Sequence, residues 1–100
     1  MLNINSNIEA QNATLSLGGR LDTTTAPEFE AAVKALPEDI TSLVIDMEAL
    51  DYISSAGLRV LLVAQKTMNK KGSSMKVTHI NETVMDIFEV TGFADILTIE

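Results

Sequence analysis

The chain has 100 residues, of which 46% are hydrophobic and 21% are charged, and its formal net charge at pH 7 is −7. This length and composition predict one domain over residues 1–100 with a hydrophobic core, and they exclude a largely disordered chain. An acidic chain without a basic stripe repels phosphate backbones, so nucleic acid is not an expected partner. The negative charge either only keeps the protein soluble or also attracts a partner protein with a positively charged surface.

The sequence lacks cysteine, which rules out disulfides, thiol catalysis and thiolate metal sites. No apolar run approaches the roughly 20 residues that a membrane-crossing helix needs. Residues 1–5 lack the positive and apolar segments of a secretory signal. We therefore expect a cytoplasmic protein that does not bind a membrane.

Apolar and polar residues alternate near the N-terminus, over residues 2–8 and again over residues 14–17. A period of two is typical of a strand, and the polar break at Gln11-Asn12 separates the two runs. The pattern predicts an antiparallel hairpin whose second strand ends at Gly18-Gly19.

Helical spacing of apolar residues predicts three main helices, which run from Thr25 to Pro37, from Ser54 to Gly72 and from Asn81 to Gly92. Thr25–Glu28 fits a capping box at the start of the first helix. Asn81 fits the N-cap of the third helix, and both glycines fit helix ends.

The remaining apolar runs predict strands. Leu43–Ile45 fits a central strand that is covered on both faces. Asp46 is expected at its C-terminal end, followed by a loop from Met47 to Ile53. Met75–His79 and Ile96–Ile99 fit two later strands. The order β-β-α-β-α-β-α-β predicts an α/β domain with a mixed sheet of four to five strands and right-handed parallel crossovers.

Ser54 and Ser55 lie where the central strand's loop meets the second helix, at the sheet edge where α/β proteins gather functional groups. A helix start carries free N–H groups and partial positive charge, so a phosphate there would be stabilised. Phosphorylation would add about −1.5 to −2 charge, which an apolar interface would reject. Serine is also a preferred N-cap, which contributes ~1 kcal/mol without any regulatory purpose.

Several segments resemble STAS domains, specifically the bacterial anti-sigma factor antagonists. The segments are Val44-Ile45-Asp46, residues 50–62 with their Ser-Ser-Ala-Gly helix start, Gly19-Arg20-Leu21-Asp22, and residues 87–93. The resemblance covers nearly the whole chain in the same order of elements. It implies a STAS-like fold.

The resemblance also implies a partner-switching function. In this family the unphosphorylated antagonist binds an anti-sigma factor and so frees a sigma factor. The anti-sigma factor is often also a serine kinase that phosphorylates the antagonist, and a protein phosphatase resets it. A monomer or weak dimer without a cofactor is expected. Matching on Gly57 makes Ser55 the phosphorylated residue, with Ser54, which replaces a family aspartate, as second choice.

The residues expected to bind the partner lie in the loop before the first helix and around the serines: Asp22, Thr24, Tyr52, Ser54, Ser55, Ala56, Gly57 and Arg59. Local alternatives stay open for several of them. They are backbone hydrogen bonding for Asp22, loop support for Tyr52, close helix–strand packing for Gly57 and simple solvation for Arg59. Asp46 is expected to hold the phosphorylation loop or to bond locally.

The sequence predicts no catalytic residue. Neither Ser54 nor Ser55 follows the Gly-x-Ser-x-Gly pattern of hydrolases, and the phosphate-binding pattern of P-loop kinases is absent. His79 is the only histidine, so no metal site is expected. The alternative to the switch is a STAS module that acts as a scaffold or senses a ligand or nucleotide.

Overall fold

A four-stranded mixed sheet organises the computed structural model, which describes residues 2–100. The strands are β1 (Leu2–Glu9), β2 (Asn12–Leu21), β3 (Ser42–Ile53) and β4 (Ser74–Thr78), and the helices are α1 (Ala26–Lys34), α2 (Ser55–Lys70), α3 (Glu82–Thr91) and α4 (Phe93–Ile96). The strands lie in the order β1-β2-β3-β4, with β1 antiparallel to β2 and the other pairs parallel. The predicted hairpin and mixed sheet are confirmed.

The hydrophobic core lies on one face of the sheet. Leu43 and Ile45 of β3 are fully buried, whereas Val44 between them is only half-buried. The prediction that both faces of this strand are covered is therefore wrong, because the core packs on the side of Leu43 and Ile45. Phe29 of α1 and Phe88 of α3 are buried in the same core, as is Leu61 of α2. Full burial of such side chains stabilises the fold by about 1.5–3 kcal/mol each. None of the helices within residues 2–100 is both long and apolar enough to span a membrane.

Strand β3 runs through the segment that the sequence analysis assigned to a loop. Its pairing with β2 continues from Gly18↔Ala49 to Leu21↔Ile53, with register shifts on the way. The predicted loop from Met47 to Ile53 is therefore wrong. A bulge in β3 interrupts the alternation of buried and exposed residues, so the sequence does not show the period of two that is typical of a strand. Strand β2 likewise passes through Gly18-Gly19 and ends at Leu21.

The predicted last strand over Ile96–Ile99 is also wrong. Gly92 ends α3 with a φ of 83°, and the short helix α4 follows directly. Only Ile99 forms an isolated parallel bridge, with Val77 of β4. Val77 N donates to Thr98 O at 2.8 Å, so the tail covers the outer edge of β4 at this point.

The helix boundaries confirm some of the predicted caps. Asn81 caps α3 by accepting a hydrogen bond from Val84 N at 2.9 Å. The capping box at Thr25 is wrong, because the Thr25 hydroxyl donates to Arg20 O at 2.9 Å and accepts from Asp22 N at 2.8 Å. Helix α1 ends at Lys34, before Pro37 is reached.

Gly57 allows the first turn of α2 to approach the ends of β2 and β3. It is buried, and an added Cβ would lie 2.6 Å from Leu21 Cγ and 2.9 Å from Ile53 Cγ1. Both neighbours are themselves fully buried. Close packing therefore accounts for a glycine at this position.

We predict that Gly57→Ala destabilises the protein by about 1–2 kcal/mol, because the overpacking exceeds the gain in helix propensity. Urea unfolding measures the change. In a double-mutant cycle, Leu21→Ala should cost less in the Gly57→Ala background than in the wild type, since it removes the clash. Strict additivity of the two changes would contradict the packing explanation.

Candidate phosphorylation and partner-binding site

The site lies where the parallel strands β2 and β3 end side by side and α2 begins. Ser54 N donates to Leu21 O at 2.8 Å, and Leu58 N donates to Ser54 O at 3.0 Å. The first bond joins the start of α2 to the end of β2, and the second is the first hydrogen bond within the helix. As a result, the loop between β2 and α1 lies beside the two serines, although about 30 residues of chain separate them.

Ser55 is the first residue of α2, and it is exposed. The 16-residue helix places its free N–H groups and partial positive charge at this end. No acidic residue lies in its first turn. A phosphate on Ser55 would therefore meet favourable helix electrostatics and an open route to solvent.

Ser54 differs sharply from its neighbour. It is the N-cap of α2 with an extended backbone (φ −101°, ψ 175°), but its side chain makes no capping hydrogen bond. Its Oγ is buried, and no polar atom within residues 2–100 bonds to it. A kinase reaches an exposed hydroxyl more readily than a buried one, and Ser55 is the more accessible of the two serines.

Asp22 organises the loop between β2 and α1. Its Oδ1 accepts hydrogen bonds from Thr24 Oγ1 at 2.8 Å, Thr24 N at 3.0 Å and Thr25 N at 3.1 Å. The Thr24 hydroxyl is the main cause that lowers the pKa of Asp22; desolvation opposes it, and the backbone N–H groups of Thr25 and Thr24 add to it. The alternative role considered for Asp22, hydrogen bonding to nearby backbone N–H groups, is therefore present. These bonds hold the charged carboxylate in place.

Arg20 links Asp22 to Tyr52, a connection that sequence reasoning missed. Arg20 and Tyr52 are register partners on β2 and β3, and Arg20 Cζ lies 4.4 Å from the centroid of the tyrosine ring. Arg20 Nε also lies 3.9 Å from Asp22 Oδ2. An exposed cation–π contact is worth about 0.5–1 kcal/mol. The only signal in the sequence was the position of Arg20 two residues before Asp22.

The other predicted contact residues divide by exposure. Arg59 is exposed one helical turn after Ser55, and it forms no ion pair with any residue from 2 to 100. Ala56 is half-buried, whereas Gly57 is buried and offers no surface to a partner. Of the predicted contact residues, the exposed and half-buried ones are therefore accessible to a partner, whereas Gly57 is not.

Asp46 is not part of this site. It lies within β3, where its Oδ1 accepts from Glu48 N at 3.0 Å and contacts His79 Nδ1 at 3.0 Å. The expectation that Asp46 ends the strand and holds the phosphorylation loop is wrong, because the strand continues for seven more residues, to Ile53. The alternative role considered for Asp46, a local hydrogen bond to the backbone, is present as the bond from Glu48 N.

The α/β fold with its mixed sheet matches known proteins along almost the entire chain. The family model described as "STAS domain" matches residues 3–100, and the chain belongs to this family. It is 28% identical over 100 residues to the anti-sigma-B factor antagonist of Bacillus subtilis (strain 168), covering 98% of this chain and 92% of that protein.

Two solved structures show the same fold. An anti-sigma factor antagonist from Mycobacterium paratuberculosis matches with a TM-score of 0.88 at 23% identity, covering 99% of this chain and 85% of that one. The Bacillus cell fate determinant SpoIIAA in its phosphorylated form matches with a TM-score of 0.76 at 14% identity, covering 98% and 91%. The fold expected from the sequence resemblance is confirmed.

We predict that Ser54→Ala changes the free energy of unfolding by less than about 0.5 kcal/mol, because the Ser54 hydroxyl makes no capping bond that could be lost. Asn81→Ala is the matched control at another N-cap. It should cost about 1–2 kcal/mol, since the Asn81 side chain bonds both Val84 N and Leu50 O. Urea unfolding of both variants tests the contrast, and equal losses would contradict it.

We predict that Thr24→Val raises the pKa of Asp22, because it removes the main interaction that lowers it. Asp22 contributes stability that is present above its unfolded-state pKa and is lost as the pH falls through the lower folded-state pKa. The variant should therefore lose less stability on acidification. NMR titration of the Asp22 carboxyl group measures the pKa, and Thr23→Val is the control. Equal pKa shifts in both variants would show that the Thr24 hydroxyl is not the main cause of the lowered pKa.

Proposed function

We propose that this chain is an anti-sigma factor antagonist controlled by phosphorylation of Ser55. The observation that carries the proposal is the exposed Ser55 hydroxyl at the start of α2, next to the hydrogen-bonded Asp22 loop. Membership of the STAS family and the name of the Bacillus subtilis relative support it. In this proposal the unphosphorylated chain binds an anti-sigma factor in the cytoplasm and so releases a sigma factor.

The proposed contact surface, called the switch surface here, surrounds Ser55. It comprises Asp22, Thr24, Tyr52, Ser54, Ser55, Ala56 and Arg59. Asp22 presents a fixed negative charge that suits a basic group on the partner, and Tyr52 presents a half-buried ring steadied by Arg20. Because the loop is already ordered by hydrogen bonds, binding loses little conformational entropy there.

Phosphorylation by the anti-sigma factor would close this surface. The Ser55 Oγ attacks the γ-phosphorus of ATP, the bond to the ADP oxygen breaks, and the hydroxyl proton is released to a base of the kinase. The product carries about −1.5 to −2 extra charge at pH 7, which the helix N-terminus tolerates and a desolvated interface does not. Arg59, four residues further along α2, is within reach of such a phosphate.

The cycle needs chemistry from its partners and none from this chain. In the proposal a kinase supplies the phosphoryl group and a protein phosphatase removes it, whereas the antagonist itself is not an enzyme and uses no cofactor. It acts as a monomer or weak dimer and does not contact nucleic acid or membrane.

We predict that the kinase-type anti-sigma factor of the source organism, with ATP, phosphorylates the wild type at Ser55. Ser55→Ala should bind this partner but accept no phosphate, and Ser55→Asp should bind at least tenfold more weakly, about 1.4 kcal/mol. Peptide mass spectrometry locates the phosphate, and calorimetry measures the binding.

Ser54→Ala is the matched control, and it should be phosphorylated as fast as the wild type. Phosphate found on Ser54 alone, or on neither serine, contradicts the assignment. Binding that is insensitive to Ser55→Asp would favour a scaffold role instead.

A further inference from the structure

Asp46, Glu48 and His79 form a second cluster of chemically active side chains, away from the switch surface. One ligand atom of each residue, a carboxylate oxygen or an imidazole nitrogen, lies within 4.8 Å of the others. The cluster is not needed for the fold's core, because Glu48 and His79 are exposed and Asp46 is half-buried. We propose that these three residues bind a divalent transition-metal ion of the zinc class.

The fold brings these residues together from positions that are far apart in sequence. Asp46 of β3 is the register partner of Thr78, the last residue of β4, and His79 follows immediately. The β3 bulge lies just beyond Asp46, where Ser16↔Asp46 is followed by Gly18↔Ala49. Glu48 lies in that bulge, and its N–H bonds to Asp46 Oδ1 at 3.0 Å. The register of the sheet and the bulge in β3 therefore set the backbone positions of Asp46, Glu48 and His79.

The distances suit one small ion. Zinc bonds to nitrogen and oxygen of about 2.0–2.2 Å, at tetrahedral angles, place neighbouring ligand atoms roughly 3.4 Å apart. Asp46 Oδ1 and His79 Nδ1 lie 3.0 Å apart, so they need to separate by only a few tenths of an ångström. The exposed Glu48 side chain can rotate to complete a three-ligand set.

The donor set selects the class of ion. An imidazole together with two carboxylates suits zinc and its neighbours in the transition series, whereas magnesium and calcium prefer oxygen donors alone. The two carboxylates supply negative charge for a divalent cation, and the chain as a whole carries −7. Three protein ligands leave a position open to water.

The surroundings leave that open position accessible. Asp46 and Glu48 line a polar groove of about 660 Å³ on the face of the sheet opposite the core, together with Asn3, Asn5 and Ser16. The switch surface lies elsewhere, because six residues of β3 lie between Asp46 and Ile53, which places the two roughly 20 Å apart at the usual strand rise. Metal binding is therefore expected to be independent of the phosphorylation of Ser55.

The single histidine makes the test unambiguous. Titration of the full chain with zinc chloride should shift the ring resonances of His79 and saturate at one ion per chain in calorimetry. His79→Gln should abolish this binding, and Asp46→Asn and Glu48→Gln should each weaken it at least tenfold. A large excess of magnesium should not displace the zinc.

Glu89→Gln is the matched control, because it removes one exposed carboxylate from α3 and alters the net charge as Glu48→Gln does. It should bind zinc like the wild type, and so should Ser55→Asp. Circular dichroism confirms that each variant is folded. The proposal is overturned if the His79 resonances do not move with equimolar zinc, if His79→Gln still binds, or if Glu89→Gln weakens binding as much as Glu48→Gln.

Discussion

The close approach of α2 to the ends of β2 and β3 determines how the switch surface is built. Gly57 has no side chain, and Leu21 and Ile53 fill the space where one would lie. The hydrogen bond from Ser54 N to Leu21 O fixes the same junction at 2.8 Å. With the helix start held in this position, the Ser54 hydroxyl is buried and Ser55 is left exposed. One packing constraint therefore separates two neighbouring serines that look equivalent in the sequence.

The loop beside Ser55 is ordered by its own side chains, although it is not part of a strand or helix. Asp22 Oδ1 accepts hydrogen bonds from both Thr24 and Thr25, and Arg20 connects Asp22 to the ring of Tyr52. If this loop binds a partner as proposed, little of the binding free energy is needed to order it. The carboxylate of Asp22 would then lie close to the position where phosphorylation of Ser55 would add further negative charge.

The sequence predicted those elements whose signals are local. The hairpin followed from alternation and the third helix from its Asn81 cap, both of which depend on residues close together in the chain. The second half of β3 was missed because its bulge breaks the alternation. The contact between Asp46 and His79 and the stacking of Arg20 on Tyr52 were missed because they depend on strand register, which one sequence does not reveal. The difference between Ser54 and Ser55 depends on tertiary packing around Gly57 for the same reason.

The support of the switch surface extends beyond the two strands that carry it. Strand β4 ends at Thr78, the register partner of Asp46, so the part of β3 that leads to Tyr52 pairs with β2 alone. Asn81 contacts this extension, since its Nδ2 donates to Leu50 O at 2.7 Å while its Oδ1 caps α3. A two-stranded ribbon is only marginally stable by itself, so an additional bond to its free side limits its motion. We therefore infer that Asn81 restrains the part of β3 that leads to Tyr52 by tying it to the start of α3.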